Sequence, residues 1–302
     1  MIQDLTDTVA SKVAAAFVEA RHRAGIPAIG MVGTLIIITG EAGHYDALRA
    51  AQEAAREHPA RILVVIARPG GKGKPRLDAE VRFLGDSGPG ETGVLRLHGE
   101  LADHAESVLL PLLLPDAPVI AWWPGEGPAV PAADPVGNLA TRRITDSAAT
   151  AEPLATLEVL RDGYRPGDTD LAWTRLTSWR TVLAATLDQP FDPITSGKVS
   201  CEAGSPSAVL LAIWLRLALG VPIEQEDSEG PGVTEVRLTT TTGDIVLARP
   251  DGRLAHLTRP GQPEREVALH QRDTVEIISE EMRRLDPDDV YAEALAHVGQ
   301  PG

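Results

Sequence analysis

Two runs of branched apolar residues, Gly33-Thr-Leu-Ile-Ile-Ile-Thr39 and Arg61-Ile-Leu-Val-Val-Ile-Ala67, most constrain what this chain can fold into. Neither alternates with polar residues, so each predicts a strand covered on both faces. Between them Tyr45 to Glu57 is rich in alanine and predicts a helix. Strand, helix and strand over about thirty residues form a crossover unit, which favours a parallel pair buried under helices.

The rest of the first half extends that layer. Val9, Val13, Ala16, Phe17 and Ala20 recur on one face of a helix over residues 8–24, stopped by Gly25 and Pro27. Leu77 to Leu84 and Thr92 to His98 predict two further strands joined by a tight turn at Gly85 to Gly90. A helix follows from Glu100 to Leu109. Pro111, Pro115 and Pro118 then forbid a long helix and open a short buried strand, Val119 to Trp123. A Pro/Gly loop, a short helix near Asn138 and a short strand from Arg142 to Asp146 complete an α/β N-terminal domain over residues 1–165. Its expected sheet is mixed and largely parallel, with flanking helices.

Residues 166–302 predict an α+β C-terminal domain. A helix spans Leu171 to Leu187, with Leu176, Trp179, Leu183 and Leu187 on one face. Lys198 to Glu202 is a strand. Ser205 caps a nearly all-apolar helix that carries Pro206 in its first turn and ends at Gly220. Four strands at 233–239, 244–249, 254–258 and 264–268 form an antiparallel meander, and helices at 274–284 and 288–297 finish the chain.

Composition narrows the function classes. The net charge of −15 over 302 residues disfavours nucleic acid and anionic membranes, which need clustered Lys and Arg. Cys201 is the one cysteine, so no internal disulfide forms and a cytoplasmic protein is expected. The acidic N-terminus lacks a signal-peptide pattern. The apolar run Ala208 to Leu219 is too short to span a bilayer.

Chemical motifs are weak. Ser196-Gly-Lys198 lacks the first glycine of a phosphate loop, and Val199 stands where Ser or Thr is needed. His98, Glu100, Asp103 and His104 cluster like metal ligands but lack a further ligand, and read as a solvated helix start. Asp168 and Asp170 precede a helix and read as caps. Arg142 and Arg143 suit either a grip on an anion or an edge strand in solvent. No GxSxG elbow is present and Cys201 has no histidine nearby, so no catalytic set, metal or cofactor is expected. Trp122 and Trp123 are adjacent on a strand and face opposite ways. Trp179 belongs to the leucine face of its helix, and Trp173 lies off it.

Several longer strings carry a resemblance. They are His58-Pro-Ala-Arg-Ile-Leu-Val-Val65, Leu95-Arg-Leu-His-Gly-Glu-Leu-Ala102, Ser107-Val-Leu-Leu-Pro-Leu-Leu-Leu-Pro-Asp-Ala-Pro118 and Trp122-Trp-Pro-Gly125. They continue with Arg142-Arg-Ile-Thr-Asp146, Tyr164-Arg-Pro-Gly-Asp-Thr-Asp-Leu-Ala-Trp-Thr-Arg-Leu176, Arg249-Pro-Asp-Gly-Arg253 and Arg284-Leu-Asp-Pro287. Through them the chain resembles the OpcA family of glucose-6-phosphate dehydrogenase assembly proteins. The resemblance implies a non-enzymatic partner that binds that dehydrogenase and promotes its active oligomer in the oxidative pentose phosphate pathway. Redox control through a cysteine pair is not carried over, because only Cys201 is present. Trp and Arg dominate binding hot spots, and loops and element ends concentrate binding residues. The expected partner contact therefore includes Trp122, Trp123, Arg142, Arg143, Asp168, Asp170, Trp173 and Arg175. The rival reading is a sugar-phosphate enzyme of the same pathway, such as a lactonase.

Overall fold

The two branched apolar runs form the centre of an eight-stranded sheet in the computed structural model of the protein, which describes residues 2–24, 31–68, 74–83 and 91–300. The expected stop at Gly25 and Pro27 and the expected turn at Gly85 to Gly90 lie outside those residues. The chain folds into two compact units. One comprises Met1–Thr145, Arg165–Thr169 and Thr274–Pro287, and the other Asp146–Tyr164, Asp170–Asp273 and Asp288–Gly302. The chain thus passes between units on both sides of residue 165.

In chain order the elements are β1 (Ile2–Thr8), α1 (Ala10–Ala24), β2 (Gly33–Thr39), α2 (His44–Ala54), β3 (Ala60–Arg68), β4 (Arg76–Phe83), β5 (Glu91–His98), α3 (Ala105–Leu109), β6 (Val119–Trp122) and β7 (Arg142–Thr145). Next come α4 (Pro153–Gly163), β8 (Asp168–Asp170), α5 (Leu171–Thr174), α6 (Thr177–Leu187), β9 (Ile194–Cys201) and α7 (Pro206–Leu219). The last are β10 (Ile223–Asp227), β11 (Val233–Thr240), β12 (Gly243–Ala248), β13 (Leu254–Thr258), β14 (Arg265–Ala268), α8 (Thr274–Arg283) and α9 (Asp289–Ala296).

The first sheet runs β1-β4-β5-β3-β2-β6-β7-β8. Strands β5, β3, β2, β6 and β7 pair in parallel, with Leu35 opposite Ile62 and Ile37 opposite Val64, whereas β1, β4 and β5 pair antiparallel. The α/β mixed sheet is therefore as expected. Val13, Ala16, Phe17 and Ala20 bury one face of α1, but Val9 is 54% exposed because the helix starts one residue later. At Gly93 an added Cβ would meet the Phe17 ring at 2.9 Å, so glycine lets α1 close onto β5. Glu91, 1% exposed, accepts from Arg61 Nε at 2.8 Å and from Arg21 Nε at 2.7 Å, so one buried carboxylate ties β5 to β3 and to the partly exposed Arg21 of α1.

The second unit is built on a six-stranded sheet, β10-β9-β11-β12-β13-β14, antiparallel except for β10 against β9. Its last four strands are the expected meander. Helix α7 supplies much of the core, with Leu210, Leu211 and Leu215 at 1% exposure or less. Ser205 Oγ accepts from Ala208 N at 3.3 Å at its start, and Gly220 ends it in the left-handed region at φ 66°. The single helix expected over 171–187 is instead two, α5 and α6. Arg272 Nη1 donates to the Thr174 carbonyl at 3.1 Å and occupies the acceptor that a continuous helix would use.

Candidate functional site

The residues expected to meet a partner fall into two groups, one in each unit, and most of their side chains are turned inward. In the first unit Trp122 and Trp123 do face opposite ways, yet both are buried, at 1% and 3%. The Pro/Gly loop after Trp123 folds back over it. At Gly137 an added Cβ would lie 3.2 Å from the Trp123 ring and 1.9 Å from the Pro131 carbonyl oxygen, so only glycine fits.

Arg142 and Arg143 sit on β7, between β6 and β8, so the solvent-edge reading of this pair is corrected. Arg142 is 1% exposed. It donates to Glu281 Oε2 from Nε at 2.9 Å and from Nη2 at 2.5 Å, and to the Asp286 carbonyl at 3.0 Å. Arg143, on the opposite face of the strand, pairs with Asp168 and donates to the carbonyls of Ala140 at 2.9 Å and Pro166 at 2.6 Å. Burial pushes the Asp168 carboxyl above its ordinary range, and the Arg143 guanidinium opposes that shift. Asp168 also accepts from Arg165 N at 2.7 Å and holds the loop before β8. It is therefore an ion-pair and turn residue rather than a helix cap.

In the second unit Asp170 is the cap. It is fully buried and accepts from Ala172 N at 2.9 Å, Ser147 N at 2.9 Å and Ser147 Oγ at 2.8 Å. Asp170→Ala leaves those donors in the core and should cost roughly 3 kcal/mol of stability. Urea unfolding checks this, and a loss under about 1 kcal/mol would mean that water replaces the carboxylate. Trp173 is buried. Its Nε1 donates to Asp288 Oδ2 at 2.9 Å, and the Arg180 guanidinium lies 3.7 Å over its ring.

Arg175 differs from the other seven. Its side chain is 29% exposed and makes a bidentate pair with Asp146, at 2.7 and 2.8 Å. Burial pushes the Asp146 carboxyl upward and the Arg175 guanidinium pulls it back. Arg175 also lines a cavity of about 380 Å³. That cavity is bounded by the start of α7, by Trp179 and Glu202, and by two arginines the sequence reading did not select, Arg249 and Arg272. The sequence signals for Arg249 were its place at the end of an apolar strand and at the head of the Arg249-Pro-Asp-Gly-Arg253 string, and neither marks it as a site residue.

The metal-like cluster is dispersed. Residues Gly99–His104 form a 3-10 helix, so Glu100 and His104 do not stack as on an α-helix. His98 pairs with Asp78 at 3.1 Å, and His104 lies 3.8 Å from Glu106. Among the described residues no three His, Cys, Asp or Glu side chains are placed to hold a metal ion. No helix among them is long and apolar enough to cross a membrane. Cys201 is buried, and burial raises its thiol pKa.

Residues 51–162 match the family described as glucose-6-phosphate dehydrogenase subunit N-terminal domain, and residues 166–295 match the corresponding C-terminal domain family. The chain belongs to the OpcA family. Both matched families are those of the OpcA subunit, and together they take in most of both units. No curated protein matches the chain. Among solved structures this OpcA chain is similar to a 3-ketoreductase from Actinomadura kijaniata, at 11% identity and a TM-score of 0.48 over 88% of this chain and 94% of that one. It is also similar to an oxidoreductase from Sinorhizobium meliloti, at 12% identity and a TM-score of 0.48 over 88% and 95%. A third is biliverdin reductase from Synechocystis, at 10% identity and a TM-score of 0.43 over 87% and 95%. Likenesses this distant say nothing of what the OpcA chain does.

Proposed function

We propose that this chain is a non-catalytic assembly partner of glucose-6-phosphate dehydrogenase that favours the enzyme's active oligomer or conformation. The observation that carries this reading is the pair of family matches, one in each half of the chain, both to subunit domains of that dehydrogenase. A binding protein shifts the enzyme toward its active state only as far as it binds that state more tightly. A tenfold shift corresponds to about 1.4 kcal/mol of differential affinity. Such a role places the protein at the entry to the oxidative pentose phosphate pathway, and a cytoplasmic location follows from it.

Of the eight expected contact residues, Arg175 is the one whose side chain reaches solvent to this degree, and we place the contact there. Asp170 and Trp173 instead hold the interior of the same unit, and Trp122, Trp123, Arg142, Arg143 and Asp168 hold the interior of the other. Arginine at an interface typically contributes about 1–3 kcal/mol. Arg175→Ala should therefore weaken activation of the dehydrogenase by that amount in apparent affinity. Asp146→Ala breaks the same ion pair but keeps the guanidinium, and it should activate nearly as wild type does. If the two variants lose activation equally, the ion pair is structural and the contact lies elsewhere. The chain alone should turn over neither glucose 6-phosphate nor its lactone. Turnover abolished by one of these substitutions would establish an enzyme instead.

A further inference from the structure

We propose that the cavity at the N-terminus of α7, which Arg175 also lines, is a binding site for a phosphate monoester. The chemistry begins with Arg249. It is 4% exposed and lines the cavity, and its guanidinium makes no ion pair among the described residues. Two of its nitrogens donate to backbone carbonyls, Nη1 to Leu269 and Nη2 to Val233, each at 3.1 Å. Its buried Nε has no acceptor among the described residues. A guanidinium carries five N–H donors and stays charged in proteins, so this one is a buried cation with donors to spare. The Trp179 ring lies 5.1 Å from the guanidinium, but a buried cation without a hydrogen-bonded counter-ion is still costly, and a buried N–H without a partner calls for one. Burial draws the Arg249 pKa below its ordinary value, and the Asp251 carboxylate opposes that shift without reversing it.

A second feature of the same cavity suits the same ligand. Helix α7 is 14 residues long and begins at the cavity wall with Gly204, Ser205, Pro206 and Ser207. Of its first amides, Ala208 donates to Ser205 Oγ and Val209 to Ser205 O, while Pro206 has none to offer. The Ser207 N–H remains, at the positive end of the helix dipole. Gly204 holds φ +74° with nothing within 4 Å of where a Cβ would sit, so the turn into the helix leaves the approach open. Arg272 joins the lining and anchors its fork on the Thr174 carbonyl. Glu202, the acid of the cavity wall, accepts from Gly232 N at 3.2 Å. Arginine forks together with a helix N-terminus are the standard means of holding a phosphate dianion. At about 380 Å³ the space is in the range of small-ligand sites, so it accommodates the remainder of a phosphorylated metabolite as well as free phosphate.

The test is isothermal titration calorimetry on the full chain with inorganic phosphate, glucose 6-phosphate and glucose as probes, each paired with 31P line broadening where phosphorus is present. Glucose 6-phosphate and phosphate should bind and glucose should not. A tighter constant for glucose 6-phosphate assigns the site to a sugar phosphate, and equal constants assign it to the free ion. Arg249→Gln and Arg272→Gln should each weaken binding at least tenfold, whereas Arg259→Gln, outside the cavity, should leave it unchanged. Arg272→Gln keeps the test valid if loss of Arg249 disturbs the fold, because wild-type binding and the Arg272 effect are read separately. Absence of binding by both phosphates at millimolar concentration, equal binding of glucose, or wild-type affinity in folded Arg272→Gln and Arg249→Gln would overturn the proposal. The titration uses no dehydrogenase, so it stands or falls independently of the assembly role.

Discussion

Arg142→Ala should destabilise the protein by about 3–5 kcal/mol, because it removes the Arg142 guanidinium from the buried Glu281 carboxylate. The side chains of the pair are 1% and 3% exposed, and the guanidinium also holds the Asp286 carbonyl at 3.0 Å. The cost should be recovered in large part by a second substitution that removes the buried Glu281 carboxylate. Arg142→Met with Glu281→Leu replaces the pair by apolar side chains of similar reach, an exchange that is often neutral or stabilising. Urea unfolding of the single and double variants checks both statements. A single variant within about 1 kcal/mol of wild type would place water at Glu281, and a double variant no better than the single would make the Asp286 contact the main contribution.

Trp173→Ala should cost about 3–5 kcal/mol, the usual range for removing a large buried aromatic. Trp173 is 1% exposed and packs 5.9 Å from the Tyr291 ring, under Arg180 and against the second unit's core. Its indole N–H also fixes Asp288, which in turn caps α9 by accepting from Tyr291 N at 2.9 Å. Trp173→Phe keeps most of the apolar area but loses that hydrogen bond, and should cost about 1–2 kcal/mol. Thermal melts of the two variants separate packing from the hydrogen bond. Equal losses in both would mean that the Asp288 link dominates.

The sheet centres were legible because burial on both faces writes an unbroken apolar run. The runs at Gly33–Thr39 and Ala60–Arg68 fell within a residue or so of their predicted ends. β1 and β10 were not legible. Ile2–Thr8 carries two aspartates and Ile223–Asp227 three acids, and each sits at the edge of its sheet, where one side meets no strand and charge is tolerated. The break between α5 and α6 was hidden for another reason. At the break the Thr174 carbonyl accepts from Arg272, nearly a hundred residues away in sequence, and no local pattern reports that contact.

The candidate site was harder still. Trp and Arg are enriched in binding hot spots, but they also fill cores and pair with buried carboxylates, and residue type alone does not separate the two uses. Arg142 meets a glutamate 139 positions along the chain, and Arg143 an aspartate 25 positions along. Neither spacing marks a pair in sequence. The same blindness hid Arg249, whose interest lies in the partner it lacks.

The most direct test of the assembly role is multi-angle light scattering on the purified chain, on glucose-6-phosphate dehydrogenase from the same organism, and on their mixture at micromolar concentration, with dehydrogenase activity read across the same fractions. The assembly role predicts a new species in the mixture that contains both chains and carries raised specific activity per dehydrogenase subunit. Separate elution of the two proteins at their individual masses, with unchanged activity, would contradict it.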